Sequence, residues 1–505
     1  MIDRLILHLL MLVPLAGCLT LFFLPRGAAT RLAPLVGLVA SGGALAAAVV
    51  AAVRFDIGSS GTVQFVTEAE WAPALNLYWR LGVDGLSLPF VLLTALLVFC
   101  CLLYTVRVRP AGGRLRVFIG LILLLEVGMI GTFLALDLVL FFVFFEIVLI
   151  PMWFVIAWWG DPDDEKGRTS AATTFIIYTV LGSGIMLIGF LIVGVRAGTF
   201  DMIELAAAGG DGMSARDQLI AASAIVGGLA VKVPVWPLHT WLPDAHAKAP
   251  TVGSVLLAGV LLKMGSYGLV RVAVPVVPDG VRVIAPILGG LAVVGIVYGA
   301  LACLGQRDVK RLVAYSSVGH MGFVVLGVAT LTPAGLNGSV FAGLAHGLII
   351  GLLFFLAGAV KDRHGTSEFA GLGGGLYARL PRLGTLLTFG AVAALGLPGL
   401  AGFWGELLTL AGAFDPAAAL GRPYFLGLLA VALIGVLLTA VYLLTMVRRI
   451  CQGADVIGPR LSVLGDVTGI EAASWAPLVA LIVLLGLWPA LVLELVDPVM
   501  SGMGS

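Results

Sequence analysis

Gln218–Thr240 reads QLIAASAIVGGLAVKVPVWPLHT. It is long and apolar enough to cross a bilayer, which takes about 20 apolar residues. Yet a lysine stands at 232, and Pro234 and Pro237 follow it. Each proline removes a backbone donor and frees a carbonyl one turn earlier. Such carbonyls can hold water together with an ammonium. A charge beside a helix break at this depth is the pattern of a transport path rather than of a lipid anchor.

The rest of the chain agrees. Of its 505 residues, 60% are hydrophobic and 11% charged. Mean hydropathy is +1.11. A soluble domain carries about 25% charged residues. A soluble fold of this size has too much surface to hide so much apolar matter. Composition therefore excludes a soluble enzyme and a disordered chain. The net charge of +1 carries no nucleic-acid footprint.

The hydropathy pattern predicts an all-α polytopic membrane protein of about fourteen spans. They are 3–24, 32–53, 84–106, 116–135, 138–159, 170–195, 218–240, 251–274, 283–304, 309–330, 338–360, 382–412, 423–447 and 474–496. The polar insertions 54–82 and 196–217 read as short extracytoplasmic loops. Loops after odd-numbered spans hold 19 Lys and Arg, and those after even-numbered spans hold 7, with Arg271 among the latter and Lys310, Arg363 and Arg460 among the former. Positive loops stay in the cytoplasm. Both termini are then extracytoplasmic, in a bacterial cell membrane.

The twelfth span is also broken, at Leu397-Pro398-Gly399-Leu400. The two breaks lie five spans apart, so the broken segments run in opposite directions. That offset is the sign of inverted repeats with discontinuous helices at a transport site.

Ionisable residues inside spans are the sharpest signal, because each costs at least ~2.5–3.5 kcal/mol at a helix centre. Glu146 lies in LFFVFFEIVLIPMW, and Lys263 in LLAGVLLKMGSYGLVR, where it shares a helix face with Tyr267. Glu406 follows the second break, His320 lies in LVAYSSVGHMGF, and His346 in SVFAGLAHGLII. His239 and Glu126 are further candidates. Each has a plainer reading. The lysines could snorkel to an interface, Glu406 could cap a half-helix, and the histidines could be satisfied by hydroxyls such as Ser316 and Ser317. A lysine with a carboxylate nearby loads or releases a proton when the pair is moved apart. A histidine relays protons near neutral pH. The five cysteines form no Cys-x-x-Cys pair, so neither a metal nor an iron–sulfur centre is expected in this chain.

The segments around Glu146, Lys232–Thr251, Lys263, His320 and Glu406 resemble the antiporter-like subunits of proton-pumping NADH:quinone oxidoreductase, respiratory complex I, across essentially the whole chain. Mrp-type cation/proton antiporter and membrane-bound hydrogenase subunits are relatives of that family. The resemblance is greatest to the M-type branch, in which a glutamate stands at the Glu406 position where the L- and N-type branches have lysine. It implies helices 1–3 over 1–115, a first inverted repeat of five helices over 116–274, a second over 283–447, and a last helix over 474–505. It also implies roles: Glu146 and Lys232 as a first half-channel pair, Lys263 as a bridge, His320 and His346 as a hydrated axis, and Glu406 as the terminal acid. FMN, iron–sulfur clusters and quinone would belong to partner subunits, with the L- and N-type subunits flanking this one. Glu126 matches no general feature of that family. Other readings are an Mrp-type or hydrogenase-linked subunit, a quinol oxidoreductase with haem between His320 and His346, and a structural spacer.

Overall fold

The computed structural model describes residues 2–75, 77–453 and 465–503. Arg460 and the final two residues of the predicted last helix, 504 and 505, lie outside them. Among the described residues, twelve helices are long and apolar enough to cross a membrane. The predicted seventh span ends as a helix at Lys232, with a second helix starting just beyond the predicted end at Trp241, and the predicted twelfth span is divided in two. Ala215–Lys232 and Trp241–Lys248 flank the first break, and Pro381–Ala394 and Ala401–Phe414 the second. At the first break Pro234 cannot donate to Ala230, so the Val235 N–H takes that carbonyl at 2.9 Å. The Trp241 indole takes the Val231 carbonyl at 3.0 Å. These substitutes satisfy backbone groups that lipid could not.

The centre of the fold is the helix Thr251–Val276, whose apolar window is wholly buried. It contains two π-helical turns, Leu257–Leu261 and Leu269–Ala273, which no periodicity in its sequence announces. The helix Pro333–His364 runs against it and is equally buried. The helices near the ends of the chain are more exposed, as lipid-facing spans should be.

Four sequence expectations change. The insertion 54–82 is not a bare loop but holds an antiparallel hairpin, Gln64–Ala72 with Leu77–Val83. Arg80 ties it down through Glu68 at 3.0 Å and through Asp201. The predicted last span ends at Leu487, and Pro489 starts a turn into a separate helix, Ala490–Met503. Arg271 is not in a loop. It is buried inside a π turn and meets Asp84 at 2.5 Å. Lys310 and Arg363 are likewise buried within helices. Lys310 donates to the Ala249 carbonyl at 2.7 Å, and Arg363 forks onto Glu471 at 3.0 and 2.8 Å.

Asp84 does two things. It accepts from the Leu86 and Ser87 N–H groups at the start of the helix Ser87–Arg107, and it neutralises Arg271. Removing the cation would strand a buried carboxylate. Arg271→Met should therefore destabilise the protein by about 3–5 kcal/mol. The check is the thermal melting of the detergent-solubilised protein; an unchanged melting temperature would show the pair to be ornamental.

Candidate functional site

Glu146 is the penultimate residue of the helix Leu138–Ile147. The helix is interrupted at Val148 and resumes at Leu149 because Pro151 cannot donate to the Ile147 carbonyl. The carboxyl is half-buried, faces Ser183, and has one oxygen with no hydrogen-bond partner. Lys232 is the last residue of its helix, 2% exposed, so it does not snorkel. Its ammonium stands 4.8 Å from the centre of the Phe145 ring and 6.0 Å from that of Phe175, and it has no hydrogen-bond partner. Glu146 and Lys232 are electrostatic neighbours, but they make no ion pair within 4.0 Å. Both are thus held near each other and unsatisfied.

Lys263 is fully buried. At the π turn the Leu262 N–H reaches back five residues to the Leu257 carbonyl. The ladder is out of α register there, and the Ala258 carbonyl takes the Lys263 ammonium. The same Nζ lies 2.5 Å from His346 Nδ1. Tyr267, on the shared face, does not partner Lys263. Its hydroxyl donates to the Phe133 carbonyl at 3.1 Å and accepts from Arg271.

The His346 and His320 rings pack edge to face, 6.0 Å between centres, which leaves no room for a porphyrin plane between them. His320 Nδ1 is 3.5 Å from Glu406 Oε1. Ser316 and Ser317 do not satisfy His320: both hydroxyls donate to the Val313 carbonyl, His320 Nε2 has no partner, and Nδ1 faces Glu406. Glu406 is not a cap. Its half-helix begins at Ala401 with no side-chain cap and no acid in the first turn. Gly396, at φ +68°, lies beneath its carboxylate. Both imidazole Nε2 atoms are without partners. His320, His346, Glu406 and Gly402 line one cavity of about 20 Å³, enough for roughly one water. Four candidates therefore form one continuous series, Lys263–His346–His320–Glu406. Glu146 and Lys232 form a second group, and Gly265 packs against Lys232 to join that group to the Lys263 helix.

His239 is outside both groups; its ring packs 4.9 Å from that of Tyr298. Glu126 is fully buried and meets neither group within hydrogen-bond distance. The sequence reading missed His246, whose ring is fully buried and stacks on Phe354 at 4.7 Å. Both of its nitrogens lack partners, and it lies within electrostatic reach of Lys310 and Lys263. Beyond Lys310 a cavity of about 260 Å³ opens among Asp161, Lys361 and Asp362. On that charged face Lys248 meets Asp164 at 2.6 Å. The hydrogen bonds from Lys248 and the Gly167 N–H hold the Asp164 carboxyl below its ordinary pKa. Among the described residues no group of three or more His, Cys, Asp or Glu is placed to hold a metal ion.

Buried bases and acids linked in series, beside helix breaks, define an ion-translocating membrane protein. Residues 135–439 match the family model described as NADH:quinone oxidoreductase/Mrp antiporter, transmembrane, and the chain belongs to that family. It is 39% identical to NADH-quinone oxidoreductase subunit M of Rhodobacter capsulatus, over 98% of this chain and 95% of that one. It is 37% identical to NADH-ubiquinone oxidoreductase chain 4 of Arabidopsis thaliana, over 96% and 94%. Among solved structures, a chain of respiratory complex I from Thermus thermophilus with bound NADH superposes with a TM-score of 0.86 at 30% identity, covering 99% of both chains. A chain of the Mrp complex from Dietzia sp. DQ12-45-1b shares the fold, with a TM-score of 0.84 at 23% identity over 100% and 98% of the chains.

A Cβ added at Gly396 would stand 2.6 Å from Glu406 Oε2. We expect Gly396→Ala to cost about 1–3 kcal/mol in backbone strain and to displace the carboxylate from His320. Proton translocation by membrane vesicles should drop while the protein remains in the membrane; full translocation would show that the His320–Glu406 contact is dispensable.

Proposed function

We infer that this chain is the M-type, proton-translocating subunit of the membrane arm of an NADH:quinone oxidoreductase. The observation that carries the reading is the unbroken contact series from Lys263 through His346 and His320 to Glu406, buried where a charge is otherwise expensive. Glu146 and Lys232 form the first proton-holding pair. Lys263 bridges the halves of the chain, the two histidines relay through water in the cavity they share, and Glu406 is the terminal acid. The cavity by Lys310 and the orphaned ring of His246 supply the approach from the charged face.

NADH oxidation, flavin, iron–sulfur and quinone chemistry lie in partner subunits. Changes there alter hydration and ion pairing here. L-type and N-type subunits flank this one in the arm. The excess of Lys and Arg in the odd-numbered loops supports a cytoplasmic location for them, in a bacterial plasma membrane with both termini outside. One broken helix in each of 116–274 and 283–447 supports their reading as inverted repeats.

Glu146→Gln and Lys232→Ala should each abolish or strongly reduce NADH-driven acidification of inverted vesicles while the complex still assembles. Near-normal acidification in both would remove these residues from the proton path. The chain would then belong with the antiporters of its family, and sodium–proton exchange without NADH becomes the assay.

A further inference from the structure

Among the described residues, Glu126 is the buried acid outside the proposed path for which neither an arginine nor a capped helix end accounts. It lies in the helix Leu115–Leu134, is 0% exposed, and neither carboxyl oxygen has a hydrogen-bond partner. Asp84 and Glu471, equally buried, each face an arginine. Glu126 faces no cation within ion-pair distance. A carboxylate in such a place would carry its full desolvation cost with nothing to offset it. The group is therefore held as the neutral acid, with a proton available to give.

Its surroundings show where that proton could go. Glu126 shares a helix face with Phe133, seven residues on, and that face points away from Glu146. Gly128, on the opposite face, is the residue that packs against Ile147 and Val148. Phe133 stacks on Phe90 at 5.2 Å and meets Tyr267 at 5.1 Å. Seven residues before Glu126, Ile119 packs beside Leu102 around Gly37. The register between the helices Leu115–Leu134 and Ser87–Arg107 thus runs antiparallel from Phe133/Phe90 to Ile119/Leu102. It sets Glu126 level with Thr94 and Leu97. Leu97 in turn packs on Gly259, next to the Ala258 carbonyl that holds Lys263.

An acid without a cation and a lysine without an acid therefore stand at one depth, with one helix between them. The buried Thr94 hydroxyl donates to the Phe90 carbonyl at 2.7 Å, and its oxygen is left to accept on the helix that separates them.

We propose that Glu126 is the counter-acid of Lys263: it gives its proton toward Lys263 when that lysine must be charged, that proton moves on to His346, and Glu126 is reprotonated by the next proton arriving along the path from the Glu146–Lys232 group. The step is a bare proton transfer. The carboxylic acid O–H breaks, a lysine N–H forms by way of water, and net charge inside the membrane is unchanged. The proposal rests on the proton-translocating reading above. It makes Glu126 a proton-exchanging group rather than a packing residue.

Glu126→Gln keeps the shape of the neutral acid and both a donor and an acceptor, and removes the acidic proton. In the assembled complex, NADH-driven acidification per NADH oxidised should fall by half or more, and Glu126→Asp should recover part of it. A packing role would leave that ratio unchanged in the glutamine variant. Lys232→Ala is measured beside it. If Lys232→Ala stops acidification and Glu126→Gln does not alter the ratio, this inference is overturned and the proposed function stands. If neither alters it, both fall. Should the glutamine variant not assemble, the wild-type complex is treated with dicyclohexylcarbodiimide. The acid O–H adds across a C=N bond, and the O-acylisourea rearranges to a stable N-acylurea with nothing expelled. An adduct on the Glu126 peptide by mass spectrometry supports the proposal. Exhaustive treatment without an adduct there overturns it.

Discussion

The interior of a membrane offers no water to a charge, so every ionisable group inside the spans must find its solvation in the protein. Two solutions occur side by side. Arg271 with Asp84 and Arg363 with Glu471 are closed pairs, each charge answered directly by its opposite. They hold helices together and have nothing left to exchange. Lys232, Lys263, His246, His320, His346, Glu146 and Glu126 are open. Each keeps an unpartnered polar atom or leans on a neutral donor or carbonyl. Open groups are costly unless a proton can come and go. The division between closed and open groups separates the scaffold from the path.

The helix breaks serve the open groups. A regular helix has no spare carbonyls for a lysine and no room for water. Pro151 interrupts the turn at Glu146, Pro234 and Pro237 end the helix at Lys232, and the left-handed Gly396 makes space under Glu406. At Lys263 no proline is present, and a π turn does the same work. In each case the irregular backbone is buried within protein, where its exposed groups find partners.

Much of this was legible in the sequence, because a charge inside an apolar run is a local signal. Glu146, Lys232, Lys263, His320, His346 and Glu406 all announce themselves that way, and so do the proline-marked breaks. Partners were not legible. Asp84 and Arg271 are 187 residues apart, and Arg363 and Glu471 are 108 apart, so their arginines read as ordinary loop charges. His246 was missed because Asp244 and Lys248 beside it make the stretch look like a solvated helix end. The hairpin over 64–83 was missed because two short strands carry little hydrophobic periodicity against so apolar a background. The π turns leave no mark in residue type at all, since they are a choice of hydrogen-bond register rather than of side chain.

That choice of register has a consequence for how such a chain can vary. A π turn holds one residue more than the α turn it replaces, so Leu257–Leu261 stands as a one-residue insertion in an otherwise regular helix. Loss of one residue there would restore the α ladder and rotate one side of the helix against the other by about 100°. The helix would still be apolar and would still span the bilayer. Lys263, however, would point away from His346. Crossing the membrane depends on apolar length, whereas carrying charge through it depends on angular phase, and a single deleted codon could separate the two.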